Sequence, residues 1–211
     1  MDHRQGQADG KIAEARITRV REQEVNARYV ALLRGINVGT ARRVAMKDLR
    51  ALVEELGFRD VRTLLNSGNV VFSASKAEPK AEPRQAALRI QKALEAKLRV
   101  STPVMVISAA ELAAMVAANP LGKIADDPSR LLIGVLGDPA DREKLVEIAG
   151  KDWGAERIVL GRKRALYMWM PRGVIQSKLN AAVSKALKDG VTARNWSTML
   201  KLKELTEEAG G

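Results

Sequence analysis

The chain has 211 residues, of which 46% are hydrophobic, and 36 Lys and Arg against 25 Asp and Glu give a formal net charge of +11. It contains no cysteine and a single histidine, His3 in the polar N-terminal segment, which excludes disulfides and thiolate sites and argues against a Ser-His-Asp triad or a histidine metal site. No apolar run approaches the roughly 18 residues of a membrane span, so we expect a cytoplasmic protein with no membrane partner. The sequence indicates no cofactor, although a Mg²⁺ site with oxygen ligands remains possible.

Residues 1–27 are polar and charged, and we expect them to form a mobile N-terminal extension. Their five cations and five anions cancel, so the excess of positive charge falls on the rest of the chain. Such a field favours anionic partners: nucleic acid, nucleotides, acidic proteins or anionic lipid. A basic surface that serves only solubility explains the same composition.

Residues 28–120 are predicted to form a first subdomain. Its first strand, 29–34, is an apolar run without polar alternation, which is typical of a central strand covered on both faces. The helix that follows has one apolar face and ends at Gly57. A strand at 61–65 then leads into the Asn66-Ser67-Gly68-Asn69 turn and a returning strand.

The rest of this subdomain begins with a solvated loop at 73–83. Pro83 opens a helix that runs to about Leu98. A strand follows at 103–107, and a capping box of Ser108 and Glu111 starts a further helix.

Residues 121–211 are predicted to form a second subdomain in which the pattern repeats. A strand at 131–136 is followed by a helix capped at Asp138-Pro139 and by a hairpin whose turn is 161–164. A helix at 174–188 comes next, with Ile175, Leu179, Val183 and Leu187 on one face. A short strand then leads to a last helix, which Asn195 caps.

Each half therefore has the order strand, helix, strand, strand, helix, strand. This order predicts an α+β protein of two tandem ferredoxin-like (βαββαβ) subdomains plus a C-terminal helix. Because the halves share little sequence identity, one mixed α+β sheet without duplication is the alternative.

Several motifs of the chain are distinctive: YVALLRGINVG, DVRTLLNSGNVVF, SKLN at 177–180 and TARNWSTMLKL at 192–202. On these motifs, residues 28–205 resemble a bacterial family known as domain of unknown function 1697. The resemblance implies an α+β protein of two related subdomains and no particular reaction. Here Thr40-Ala41-Arg42-Arg43 follows INVG, where the family often has Gly and Lys, and the 27-residue lead is longer than is usual.

The candidate site lies at one end of the first predicted sheet. In a ferredoxin-like unit the loop after the first strand and the hairpin after the second strand meet at that end. The first helix also begins there, and its free N–H groups and dipole favour an anion. The residues expected at this ligand-binding site are Arg34, Asn37, Arg42, Arg43, Lys47, Asn66, Ser67 and Asn69.

Residues of the second half could complete this site if the halves pack face to face. They are Lys178, Arg194, Asn195 and Trp196, of which Trp196 is suited either to stacking on a base or to anchoring the last helix. The cations of the 161–164 turn offer a separate contact for a nucleic-acid backbone, or serve solubility alone.

Three functions remain open on the sequence. The first is binding of a phosphate-bearing ligand, nucleotide or nucleic acid, through the loops at the first-sheet end. RNA readout on a sheet face has less support, because residues 65–72 lack the aromatic pattern of RNA-binding domains. Tyr167 and Trp169 share one strand face in the second half but could equally be core. The second function is an enzyme acting on a small anionic substrate without His or Cys chemistry. The third is a protein-interaction module with a basic surface.

Overall fold

The computed structural model describes residues 26–38, 42–75 and 82–208. These residues form two four-stranded antiparallel sheets and six α-helices. Residues 1–25 of the predicted mobile extension lie outside the described residues. Its last two residues, Asn26 and Ala27, instead belong to the first strand, because they pair with Ser75 and Ala74.

The first unit has its sheet in the order β2-β3-β1-β4, with every neighbouring pair antiparallel. Its elements are β1 Asn26–Leu33, α1 Met46–Glu55, β2 Arg59–Leu64, β3 Asn69–Ser75, α2 Pro83–Leu98 and β4 Val104–Ser108, with α3 Ala109–Ala117 following. The prediction of a loop at 73–83 is wrong for residues 73–75, because β3 runs to Ser75. Residues 76–81 lie outside the described residues.

The second unit repeats this arrangement with the order β6-β7-β5-β8, again antiparallel throughout. Its elements are β5 Leu131–Leu136, α4 Glu143–Ala149, β6 Arg157–Leu160, β7 Ala165–Trp169, α5 Lys178–Leu187, β8 Val191–Asn195 and α6 Trp196–Glu207. Two separate sheets with the same strand order contradict the alternative of a single mixed sheet.

The elements stack in layers around three hydrophobic clusters. Helices α1 and α2 cover the outer face of the first sheet, and α4 and α5 cover the outer face of the second. The inner faces of both sheets share one cluster with α3 and α6, and α6 contacts strands of both sheets. The two units are therefore joined through a common core.

The central strands explain the two uninterrupted apolar runs of the sequence. Along β1, Val30 and Leu32 face the inner cluster while Ala31 and Leu33 face α1 and α2. All four side chains are fully buried, and burial of one such Leu contributes about 2 kcal/mol. The prediction of a central strand covered on both faces is thus confirmed.

Two helix starts differ from the prediction. The helix predicted from residue 174 begins only at Lys178, where the Ser177 side chain accepts a hydrogen bond from the Asn180 N–H. Ile175, expected on its buried face, is fully exposed. Asp138 caps a short 3-10 turn at Pro139–Arg142, and α4 begins after it at Glu143.

Within the described residues, no helix combines the length and the apolar character needed to cross a bilayer.

Candidate functional site

The end of β1, the turn after β2 and the start of α1 meet at one end of the first sheet. The Leu33 N–H donates to the Gly68 carbonyl at 2.8 Å, and the Asn37 side chain donates to the Asn66 carbonyl at 2.8 Å. The structure thus brings the loop after β1 and the turn after β2 together at one end of the first sheet, as predicted. We call this region the first-sheet end, meaning residues 34–38, 42–47 and 65–69.

Asn37 organises the loop of the first-sheet end. Its side-chain oxygen accepts from the Val44 N–H at 2.8 Å, and its amide nitrogen donates to the carbonyls of Val44 and Asn66 at 2.9 and 2.8 Å. Its φ is 56°, a left-handed conformation that Asn tolerates better than most residues. Asn37 therefore acts on the backbone and holds the loop against the turn.

Replacing Asn37 with alanine should lower the free energy of unfolding by about 2–3 kcal/mol, because three hydrogen bonds are lost and alanine is strained at this φ. Urea unfolding measures the change. An Asn37→Gly variant keeps the backbone freedom and should lose less than the alanine variant. Equal stability of wild type and Asn37→Ala would show that these bonds do not hold the loop.

The Arg34 side chain contacts the second unit. Its guanidinium donates to the Val191 carbonyl and lies 3.5 Å from the Asp189 carboxylate. The Arg34 carbonyl in turn accepts from the Thr102 hydroxyl. Arg34 thus makes a contact between the two units, and the ligand-binding role expected for it stays a prediction.

Arg194 has a similar role and is more deeply enclosed. Its guanidinium donates to the Asn69 side-chain oxygen at 2.5 Å, to the Leu33 carbonyl at 2.7 Å, to the Ser67 carbonyl at 3.0 Å and to the Thr192 hydroxyl at 3.1 Å. Burial lowers its pKa to about 10, which leaves it cationic at neutral pH. Arg194 thus connects β8 of the second unit to the hairpin of the first.

Asn69 is the buried partner of Arg194. It is fully inaccessible, and its amide nitrogen donates to the Leu64 carbonyl at 2.9 Å and the Ser67 hydroxyl at 3.0 Å. Since its oxygen is taken by Arg194, its hydrogen-bonding groups are engaged within the protein. A direct ligand contact by Asn69 would require this network to open.

Three cations of the first-sheet end remain exposed. Arg42, Arg43 and Lys47 are exposed, and none has an ion-pair partner among the residues that the structure describes. They precede or begin α1, whose N-cap residue Ala45 offers no side-chain cap. Asp48 is the one acidic residue of the first turn. The site therefore keeps an excess of positive charge beside a helix N-terminus.

The remaining predicted residues lie elsewhere. Lys178 is exposed at the start of α5, on the outer side of the second sheet, and shares a depression with Glu156. Asn195 caps α6, its side chain accepting from the Thr198 N–H. Trp196 packs, half-buried, against the cluster between the sheets, which matches the anchoring alternative. These three do not join the first-sheet end.

The cations of the 161–164 turn divide between two roles. Arg164 donates to both oxygens of Glu111 at 3.0 and 2.8 Å and to the Val106 carbonyl at 3.0 Å, so it contacts the first unit. Arg162 and Lys163 are exposed. The sequence predicts that Glu111 belongs to a capping box. Ser108 does cap α3, but the Glu111 carboxylate pairs with Arg164. Because Arg164 lies more than fifty residues from Glu111 in the sequence, no local sequence pattern indicates this pair.

The aromatic residues of the second sheet are core residues. Tyr167 and Trp169 are buried in the cluster between the sheets, and the Tyr167 hydroxyl donates to the Met115 carbonyl at 2.8 Å. Because this face is covered by the first unit and by α3 and α6, it cannot read bases in the manner of an open RNA-binding sheet.

Comparison with known proteins agrees with the fold. The conserved bacterial protein SP0830 from Streptococcus pneumoniae is similar in structure, with a TM-score of 0.65 at 20% identity over 86% of this chain and 99% of that one. At this identity the likeness shows a shared fold. No protein with curated annotation matches the chain. A family model described as Protein of unknown function (DUF1697) matches residues 27–167, and the chain therefore belongs to this family.

Proposed function

We propose that the protein binds a phosphate-bearing ligand, a nucleotide or a nucleic acid, through the exposed cations of the first-sheet end. One observation carries the proposal. Arg42, Arg43 and Lys47 are exposed, without an ion-pair partner among the described residues, around a helix start that has no side-chain cap. Backbone N–H groups and the helix dipole at such a start favour negative charge.

The other residues of the first-sheet end have supporting roles in this proposal. Asn37 fixes the loop that presents Arg42 and Arg43, through its bonds to Val44 and to the turn. Arg34 and Arg194 hold the second unit in place and are not offered to the ligand. The phosphate contacts are thus assigned to three side chains of the eight that the sequence indicated for this end of the sheet.

We further propose that both units are ferredoxin-like. The support is their common strand order, 2-3-1-4 within each unit, and the antiparallel pairing of all neighbours. In the first unit this topology sends the first two strands to the same end, which is the reason that the loop after β1 and the turn after β2 adjoin. The proposed site is a product of that topology.

The test is a titration of a labelled mononucleotide, a short single-stranded RNA and a duplex DNA at about 50 and 200 mM salt. If three phosphate contacts are made, the dependence of affinity on salt concentration predicts that duplex binding weakens roughly fortyfold between these two salt concentrations. The loss for the single strand should be somewhat smaller. Tight mononucleotide binding with a shallow slope would indicate a nucleotide pocket. Polymer binding with the steep slope would indicate nucleic acid.

The variant Arg42→Ala/Arg43→Ala/Lys47→Ala should lose roughly tenfold or more in affinity at the lower salt. A matched control removes three exposed cations from α2 and the loop after α3, as Arg84→Ala/Lys92→Ala/Lys123→Ala. It lowers the net charge equally and should bind nearly as wild type. If both variants lost the same affinity, the loss would be due to net charge and not to these three side chains. If the wild-type protein bound none of the three probes, the protein-interaction module would be favoured.

A further inference from the structure

A second surface of the molecule is suited to a different ligand. It is a cleft of about 410 Å³ between α3 and the turn of the second hairpin. We call it the α3 cleft; its lining includes Ala110, Ala114, Met115, Ala118, Tyr167 and the two cations Arg162 and Lys163. Its volume is in the range of small-molecule pockets, which are mostly apolar with a few polar groups.

The apolar wall of the α3 cleft comes from the outer face of α3. Leu112 and Met115 are buried against the shared core, whereas Ala110, Ala114 and Ala118, four residues apart, are exposed. Because residues at this spacing lie on one side of a helix, they form a continuous strip. Methyl side chains leave open the volume that larger residues would fill.

The cleft continues into a neighbouring depression of about 550 Å³ that extends towards Pro120 and Pro139. The two share Ala118, Arg162, Lys163 and Tyr167 as lining residues. An elongated apolar body could therefore occupy both. The shared residues place the two cations beside the middle of the combined groove.

The charge at the rim is positive. Arg162 and Lys163 are exposed and have no ion-pair partner within the described part of the chain. The one carboxylate that lines the cleft, Glu111, is held by Arg164 through two hydrogen bonds, so it does not neutralise the rim. An anionic group placed there meets two unpaired cations.

The turn that carries these cations is fixed in position. A Cβ at Gly161 would lie 2.5 Å from the Tyr167 ring, so the glycine lets the turn pack directly on the buried aromatic. Arg142 donates to the carbonyls of Gly161 and Leu160. Arg164 anchors the other side through Glu111. The backbone of the turn is therefore held in place before a ligand binds, which lowers the entropy that the backbone loses on binding.

We propose that the α3 cleft binds a small amphipathic anion, with an apolar body against the alanine strip and a carboxylate, sulfonate or phosphate at Arg162 and Lys163. The proposal is independent of the anion site at the first-sheet end, with which it shares no residue. The two proposed sites differ in chemistry, since the ligand of the first-sheet end is held through its phosphates and the ligand of the α3 cleft also needs an apolar body.

The first arm of the test compares two fluorescent probes with the same aromatic body. 8-Anilinonaphthalene-1-sulfonate carries a sulfonate, and N-phenyl-1-naphthylamine does not. The folded protein should bind the sulfonate probe saturably at one site. Arg162→Gln/Lys163→Asn, which keeps polar residues in the turn, should weaken the sulfonate probe roughly fivefold and leave the neutral probe unchanged. An unchanged affinity for the sulfonate probe would overturn the proposal.

The second arm fills the cleft. Ala114→Phe should abolish binding of both probes, because the ring fills the space in front of the alanine strip. Ala117→Phe is the matched control: it is also exposed on α3 but does not line the cleft, and it should bind both probes as wild type. Probe binding that survives Ala114→Phe, or that is lost in Arg42→Ala/Arg43→Ala/Lys47→Ala, would place the probe elsewhere and overturn the assignment. Urea unfolding confirms that each variant is folded.

Discussion

Replacing Arg194 with alanine should lower the free energy of unfolding by about 3–5 kcal/mol, because several hydrogen bonds from a charged group are lost together. The guanidinium supplies donors to Asn69 and to the carbonyls of Leu33 and Ser67. Asn69 is completely buried, so its oxygen would lose its partner without gaining water. The measurement is equilibrium unfolding in urea with the slope compared between variants.

Two further variants separate the geometry of Arg194 from its charge. Arg194→Lys should recover little stability, because an ammonium group cannot reproduce the fork that reaches several acceptors at once. Arg50→Ala removes an arginine from an exposed i,i+4 pair with Glu54 and should cost less than about 1 kcal/mol. A loss at Arg194→Ala no larger than that at Arg50→Ala would show that the units do not depend on this contact.

The second large effect is expected at Gly68. Its φ is +76°, and a Cβ there would lie 2.7 Å from the Leu33 Cβ and from the Ile36 Cδ1. Gly68→Ala therefore combines backbone strain with overpacking against two fully buried side chains, at a total of about 3–4 kcal/mol. Urea unfolding is again the measurement. Because Gly68 also accepts from the Leu33 N–H, the substitution should displace the turn from β1.

Gly154 and Gly173 provide matched controls for Gly68. They have φ values of +66° and +88°, with nothing within 4 Å of the added Cβ. Gly154→Ala and Gly173→Ala therefore carry the strain alone and should cost about 1 kcal/mol each. If Gly68→Ala were no more destabilising than these two, close packing of the turn on Leu33 and Ile36 would not contribute to stability.

The order of the elements could be predicted because their signals are local. The apolar run of β1, the glycine after α1 and the caps at Ser108 and Asn195 each act within a few residues, and the structure shows all of them. The helix start before Lys178 could not be placed in the same way. Ile175 has helical spacing to Leu179, yet the Ser177 cap ends that periodicity on its N-terminal side.

The roles of the arginines could not be predicted from the sequence. The sequence alone does not distinguish the roles of Arg34, Arg42 and Arg194. In the structure, Arg34 contacts Val191 of the other unit, whereas Arg42 is exposed. Which cation is internal depends on how the two sheets pack, and that packing is set by the shared core rather than by any local motif. The topology predicted which loops would meet, and only the packing distinguishes structural cations from available ones.

The most direct test of the proposed function is a titration of ¹⁵N-labelled protein with inorganic pyrophosphate at about 50 mM salt, followed through amide chemical shifts. The proposal predicts that the shift changes concentrate on residues 42–47 and on Ser67, the exposed part of the first-sheet end. Pyrophosphate has no apolar body, so the amides of the α3 cleft should change little. Saturating pyrophosphate without shifts at residues 42–47 would contradict the assignment of phosphate binding to this end of the first sheet.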